Sequence, residues 1–341
     1  MSLSREYTEE EINNLNQKSA QLHEALFEMN ENSINTIIEI LTTTTNEERQ
    51  LIRSNYKKIN NHPIQMDIIS QLSENFRLLS EICINMFDTP YEYDARELNK
   101  VLSVGMGIEE DNLIEVFCTR PKDYLEIVDQ AYKNFFEISL KEEIKNQFQE
   151  QFSSFLLAIM ETERPLEQTI TDIDKAYQIA EEIDEKGINT YATDINLFKK
   201  TFLERSREDL ILISRAFYEK VQKNLYDVFE EESVEQKSLF DEKEEEKKLR
   251  NKNIKLIKGI LFCVIAPAQY FAKKCIGALS GFSTDIRTLS RVLITREEID
   301  MEAIRDYYFQ ETKSNLTQDI ENEYICQNDE IGKILIELSN K

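Results

Sequence analysis

One spacing frame recurs four times along this chain, and nothing else in the sequence narrows its fold so far. Thr44, Arg120, Arg205 and Arg296 serve as anchors. Twelve residues after each stands an aromatic: Tyr56, Tyr132, Phe217 and Tyr308. Eight residues further comes an aliphatic (Ile64, Leu140, Leu225, Leu316), and seven beyond that an amide or acid (Gln71, Gln147, Glu232, Glu323). Self-similarity at a long, nearly fixed period marks units that pack against copies of themselves. The anchors are 76, 85 and 91 residues apart, room for about five short helices per copy.

Composition agrees with a helical unit. At 341 residues the chain is too long for one simple core. With 7 glycines and 5 prolines it lacks the punctuation that a turn-rich β protein needs. Apolar residues recur at helical spacing, as in Ile127, Val128 and Ala131 or Leu210, Ile211, Ile213 and Ala216. Pro90, Pro165 and Pro267 fall between copies, and Pro121 follows an anchor directly. The expected fold is all-α. The aromatic and aliphatic frame positions are expected to pack in the core.

The glycines are unevenly placed. Fifteen and thirteen residues before the anchors stand Gly105 and Gly107 in copy two, Thr190 and Ala192 in copy three, and Gly281 and Ser283 in copy four; copy one has Met29 and Glu31 there. Gly187 lies just upstream in copy three. Glycine there permits positive φ and lets successive carbonyls point outward. Calcium favours such oxygen ligands together with a bidentate carboxylate. Glu232 and Glu323 stand 40 residues after the second loop position. Thr193-Asp194 and Thr284-Asp285 have the character of helix N-caps that fix the loop. Spacing alone leaves the ordinary alternative open: small residues between helices commonly form plain turns.

Charge and the remaining residues exclude several function classes. A net charge of −24 argues against nucleic acid and against direct electrostatic adhesion to an anionic membrane. Five cysteines without CxxC spacing are expected to be free buried thiols, and two histidines, His23 and His62, are too few for zinc chemistry. The first twenty residues are polar and charged, so no signal peptide is expected. The most apolar window, Leu256 to Phe271, contains Lys258, Pro267 and Gln269 and is too short to span a bilayer. No nucleotide loop or paired nucleophile and base is present, and no enzyme activity or small-molecule substrate is expected.

The fourth copy, PAQYFAKKCIGALSGFSTDIRTLSRVLITREEIDMEAIRDYY, closely resembles the fourth repeat of annexins: a Pro-Ala linker, a G-x-G-T-D type of loop, a leucine-rich helix ending in Arg, then I-D-M. Copy two (DARELNKVLSVGMGIEEDNLIEVFCTRP), copy one from Ala20 to Ile84, and the connector from Glu161 to Thr171 are also similar. The resemblance implies a curved disc of four repeats with about five helices each, binding Ca2+ on one face and bridging it to phospholipid headgroups. The implied ligands are the carbonyls of Leu279, Gly281 and Ser283 with Glu323, and those of Gly187, Thr190 and Ala192 with Glu232. In copy two they are Ser103, Gly105 and Gly107, with neutral Gln147 in the distal place and hence a weak site. Copy one, with Gln71, is expected to be dead. Tyr191, Phe282 and Met106 are the implied membrane-contact residues.

The expected organisation is an N-terminal tail at 1–16 and repeats at 17–88, 92–161, 171–254 and 255–339. A charged insertion near 238–253 adjoins the third loop and is a candidate for tuning it. The expected function is reversible, calcium-dependent attachment to anionic phospholipid on the cytosolic face of membranes. The alternative, suggested by the eroded sites and the likeness to alpha-giardins, is an annexin-fold structural protein with a cytoskeletal or microtubule partner.

Overall fold

A computed structural model describes the chain apart from residues 1–4, 29, 73–75, 104–109, 171, 230–243 and 324–329. The described secondary structure is helical throughout. Copy one comprises α1 (Glu9–Glu28), α2 (Glu31–Thr43), α3 (Asn46–Asn60), α4 (Ile64–Leu72) and α5 (Arg77–Phe87). Copy two comprises α6 (Pro90–Ser103), α7 (Glu110–Thr119), α8 (Lys122–Phe136), α9 (Leu140–Gln147) and α10 (Glu150–Glu161). Copy three has α11 (Ile173–Lys186), α12 (Ile188–Tyr191), α13 (Ile195–Phe198) with a π-helical turn at Lys199–Leu203, α14 (Arg207–Val221) and α15 (Glu244–Ile265). Copy four has α16 (Pro267–Leu279), α17 (Ile286–Arg296), α18 (Met301–Thr312), α19 (Leu316–Asn322) and α20 (Glu330–Ser339). Residues 1–90 and 268–341 form one compact unit, and residues 91–267 form another.

Two boundaries differ from the sequence reading. Residues 9–16, set apart as tail, are the first turns of α1, started by Thr8, whose backbone and hydroxyl both bond Glu11. The boundary expected between 254 and 255 falls inside α15, which runs unbroken from Glu244 to Ile265. Residues 244–253 of the charged insertion are therefore the opening turns of that helix, and 238–243 lie outside the described residues. The apolar window at 256–271 is divided between α15 and α16, and no single described helix is long and apolar enough to cross a membrane.

The frame positions do structural work that differs from copy to copy. Tyr56, Tyr132, Phe217 and Tyr308 are all buried. Tyr56 donates its hydroxyl to Asp67 Oδ2 at 2.5 Å and Tyr308 to Asp319 Oδ2 at 2.8 Å, each tying the third helix of its copy to the fourth. Tyr132 instead donates to Asn99 Oδ1 at 3.1 Å; burial, then the nearby Glu143 charge, pushes its phenol up to about 12. Among the anchors, Arg120 forks onto Asp94 (2.8 and 3.2 Å), while Arg296 forks onto Asp300 (2.8 and 2.7 Å) and lies over the Phe271 ring. Copy one has Thr44 instead, and Arg49 replaces the missing guanidinium, donating to the carbonyls of Leu41 and Thr44 at 2.9 and 2.6 Å.

The helix that carries the frame aromatic ends the same way in every copy. Asn61, Glu137, Gln222 and Lys313, each 17 residues after its anchor, adopt the left-handed conformation with φ of 60–63°. Their amides bond carbonyls four residues back, closing the helix. The described cysteines, Cys83, Cys118, Cys263 and Cys275, are buried thiols in no described disulfide, as expected; Cys326 lies outside the described residues.

Two measurements probe these devices. Left-handed backbone costs a side chain with a Cβ roughly 1–2 kcal/mol, most for β-branched residues. In urea unfolding, Glu137→Gly is expected to match or exceed the parent stability, with Glu137→Val lower than the glycine variant by about 1–2 kcal/mol. The second concerns His62, whose Nε2 lies 2.7 Å from Asp67 Oδ2 and whose pKa that bond raises above the ordinary value. A raised histidine pKa stabilises the fold below the unfolded-state value and loses that contribution as pH rises through the folded-state value. The stability advantage of the parent over His62→Gln should therefore be full below pH of about 6 and decline above about 6.5, read by thermal unfolding across that window.

Candidate calcium site

Copy four presents an open loop. α16 ends at Leu279, α17 starts at Ile286, and Asp285 caps α17 by accepting from the Thr288 amide at 3.1 Å. The Asp285 amide reaches back across the loop to the Ala278 carbonyl at 2.9 Å, so the residues between are held out as a bulge. Ser280, Gly281, Phe282 and Ser283 are exposed, Phe282 completely so. Among the described residues nothing donates to the carbonyls of Leu279, Gly281 or Ser283. Glu323, just past α19, is brought to this loop from 39 residues away: its Oε2 accepts from the Thr284 hydroxyl. The glycine has a different role from the one its type implied. Gly281 does not have positive φ; a Cβ there would instead stand 3.1 Å from the Ser283 carbonyl oxygen.

Copy three holds the equivalent residues in a closed form. Gly187 ends α11 with φ of 72°, and the chain then winds into the short α12. The Gly187 carbonyl accepts from the Thr190 amide at 3.2 Å, and the Thr190 carbonyl from the Asp194 amide at 2.9 Å. Ala192 is wholly buried, and its carbonyl accepts from Asn253 Nδ2 at 2.7 Å. The expected outward-pointing ligand set of copy three is therefore not formed: its oxygens are spent on helix closure and on Asn253. Tyr191, expected at the bilayer, is 1% exposed, its ring 5.5 Å from that of Phe202. Phe155, Phe198 and Phe229 extend this aromatic core. Once the loop coils into α12, Tyr191 turns inward onto that cluster, where burial stabilises it. Glu232 lies outside the described residues.

The other two copies offer less. In copy one, α1 ends at Glu28 and α2 begins at Glu31, so only two residues separate them. Asn30 caps α2 through the Ser33 amide at 3.0 Å, and Gln71 is half-buried on α4. In copy two, Ser103 ends α6 in an exposed position, while Gly105, Met106 and Gly107 lie outside the described residues. Gln147 is exposed and donates to Glu143 Oε1 at 2.8 Å. Among the described residues no cluster of three His, Cys, Asp or Glu side chains could hold a metal. A cation site here must draw on backbone oxygens, and the copy-four loop fits that requirement: three undonated carbonyls and one carboxylate suit a hard cation. The sequence spacing pairs this loop with Glu323 but does not reveal two residues that decide the state of the loops. Thr284 has only the character of a cap in the sequence, yet its hydroxyl holds Glu323, and Asn253 stands within a charged run.

Residues 18–79, 93–159 and 270–325 match the family model for annexins, more than half of the chain. The chain belongs to the annexin family. Mouse annexin A13 is 29% identical over 82% of this chain and 82% of its own length. The fold is similar to that of annexin III, with a TM-score of 0.79 at 24% identity over 96% of this chain and 94% of the other. A calcium-bound annexin (Sm)1 is similar at a TM-score of 0.74 and 21% identity, covering 96% of this chain and 90% of the other. Annexins generally bind phospholipid in a calcium-dependent way and are generally non-enzymatic. The matched stretches of this annexin fall on copies one, two and four, the copies other than the one whose loop has coiled shut.

The loop geometry gives a direct test at Gly281. A Cβ there crowds the Ser283 carbonyl, so Gly281→Val is expected to weaken calcium binding about tenfold, ~1.4 kcal/mol, with an unchanged helical circular dichroism spectrum. Calorimetric titration with calcium measures it.

Proposed function

We propose that this annexin attaches reversibly to anionic phospholipid membranes through a single dominant calcium bridge in copy four. The observation that carries the reading is the convergence of Glu323 on a loop whose Leu279, Gly281 and Ser283 carbonyls receive no described donor. These residues would hold the ion, whose chemistry is to join protein oxygens to a lipid phosphate. Thr284 orients the Glu323 carboxylate toward the loop, and the Asp285 amide bond to Ala278 keeps the bulge open. Phe282 stands free at the tip, where an aromatic ring gains by entering the headgroup region.

The strong negative charge of the chain supports a bridge of this kind, since an acidic surface meets anionic lipid only through an intervening cation. Copy three adds no open loop in this conformation, and copy two has an amide where copy four has an acid. Attachment on the cytosolic face of a membrane accords with the reading.

The test is co-sedimentation with phosphatidylserine-containing vesicles, with calcium and then with chelator. The parent should pellet only with calcium, and Glu323→Gln alone should lower the calcium sensitivity of pelleting by at least about tenfold. Gln71→Ala should behave as the parent. Pelleting by Glu323→Gln at the parent's calcium concentration would overturn the assignment of the bridge to copy four.

A further inference from the structure

We infer that Asn253 is an internal lock that keeps the copy-three loop closed and withholds it from calcium. The inference deepens the reading of copy four as the calcium site, because it explains why only one of two homologous loops is open.

The two loops differ in their backbone bonds, most plainly at the capping aspartate. In copy four the Asp285 amide bonds Ala278, seven residues back, and the intervening carbonyls stay outside. In copy three the corresponding Asp194 amide bonds Thr190, only four residues back, and the segment coils. Coiling turns the Ala192 carbonyl into the protein, where it would be an orphaned acceptor. Asn253 removes that penalty by donating Nδ2 to it at 2.7 Å, with both residues at 0% exposure. The Ser283 carbonyl, which is the copy-four counterpart, has no such described donor. The amide therefore supplies to Ala192 the positive partner that a cation would otherwise supply.

Asn253 is a poor choice for packing alone. Its Oδ1 is buried without a hydrogen-bond partner among the described residues, a cost that an apolar side chain would not carry. Its neighbours Ile254, Leu256 and Ile257 are fully buried, so the helix that carries it is fixed and the donor is held in place. The unpaired oxygen leaves the closed state shallower than it would be with both amide atoms bonded.

Two variants without the donor test the lock: Asn253→Leu, which keeps the branched outline, and Asn253→Ala. The first readout is hydrogen exchange of the full chain in chelator, comparing residues 192–194 with α7 and with the copy-four loop. Exchange at 192–194 is expected to quicken at least tenfold in both variants, with α7 and residues 280–285 unchanged. The second readout is calcium stoichiometry by equilibrium dialysis in a Glu323→Gln background, which silences copy four. There, each Asn253 variant is expected to bind one ion per chain more than Glu323→Gln alone. Unchanged exchange in both variants overturns the lock. So does equal quickening throughout α7 and the loop, which would make Asn253 an ordinary core residue. Faster loop exchange without added calcium overturns the claim that the lock withholds the ion. If the parent itself takes up no calcium, the copy-four reading fails, while the exchange comparison still decides the lock.

Discussion

Copies one and four are fastened to each other by a buried guanidinium. Arg49, 1% exposed, donates to two carbonyls at the end of α2 and to Glu297 Oε1, 2.5 Å away at the end of α17. Lys341 bonds the other Glu297 oxygen at 2.7 Å, and Asn46 donates from its backbone to Glu298 at 2.6 Å. Such a group contributes little net stability, because desolvating the charges offsets their attraction, but deleting one partner would strand the other at a cost of roughly 3–5 kcal/mol. Its effect is to specify register. Since α17 leads directly from the copy-four loop, the same contact fixes the helix whose N-cap, Asp285, holds that loop open.

A repeat protein can keep one scaffold while its loops diverge, because each loop is decided by a few local bonds. In copy four the amide of the capping aspartate reaches across a bulge and leaves three oxygens outside. In copy three the amide at the same position closes a turn, and an asparagine from a distant helix completes the burial. The aromatic cluster of Phe155, Phe198, Phe202 and Phe229 rewards the closed form by taking in Tyr191. The π-helical turn at Lys199–Leu203 lets Phe198, Phe202 and Leu203 all face this core. The loss of an open loop and the gain of a larger core are one structural event.

What the sequence made legible follows from what its residue types can encode. The fourfold frame was visible because buried aromatics and forked arginines need particular side chains, so Tyr56, Tyr132, Phe217 and Tyr308 align without gaps. The left-handed caps at Asn61, Glu137, Gln222 and Lys313 are equally periodic but were illegible, since four different residue types occupy them. The run of Glu and Lys before Asn253 conceals that residue, because a lone buried amide gives no pattern. Tyr191 was placed by position in a resemblance; the bond that coils its loop lies between backbone atoms, which sequence does not display. Glu323 was found from its distance along the chain, yet its engagement by Thr284 needed three dimensions.

The composition of the copy-four donor set also bears on what a cation there could do. A site built from several carboxylates cancels the charge of a divalent ion and leaves little for an anionic partner. Three neutral carbonyls and one carboxylate leave about one positive charge uncompensated, on the exposed side of a loop in a chain of net charge −24. In the proposed bridge that excess would face outward, beside the exposed Phe282 ring, where the protein's own field would otherwise repel anionic lipid. Gln147 in copy two would leave more charge uncompensated but would supply one neutral oxygen where Glu323 supplies two charged ones, so the ion would be held too weakly to deliver it. A single distal carboxylate is the compromise between holding the ion and leaving it charge to share.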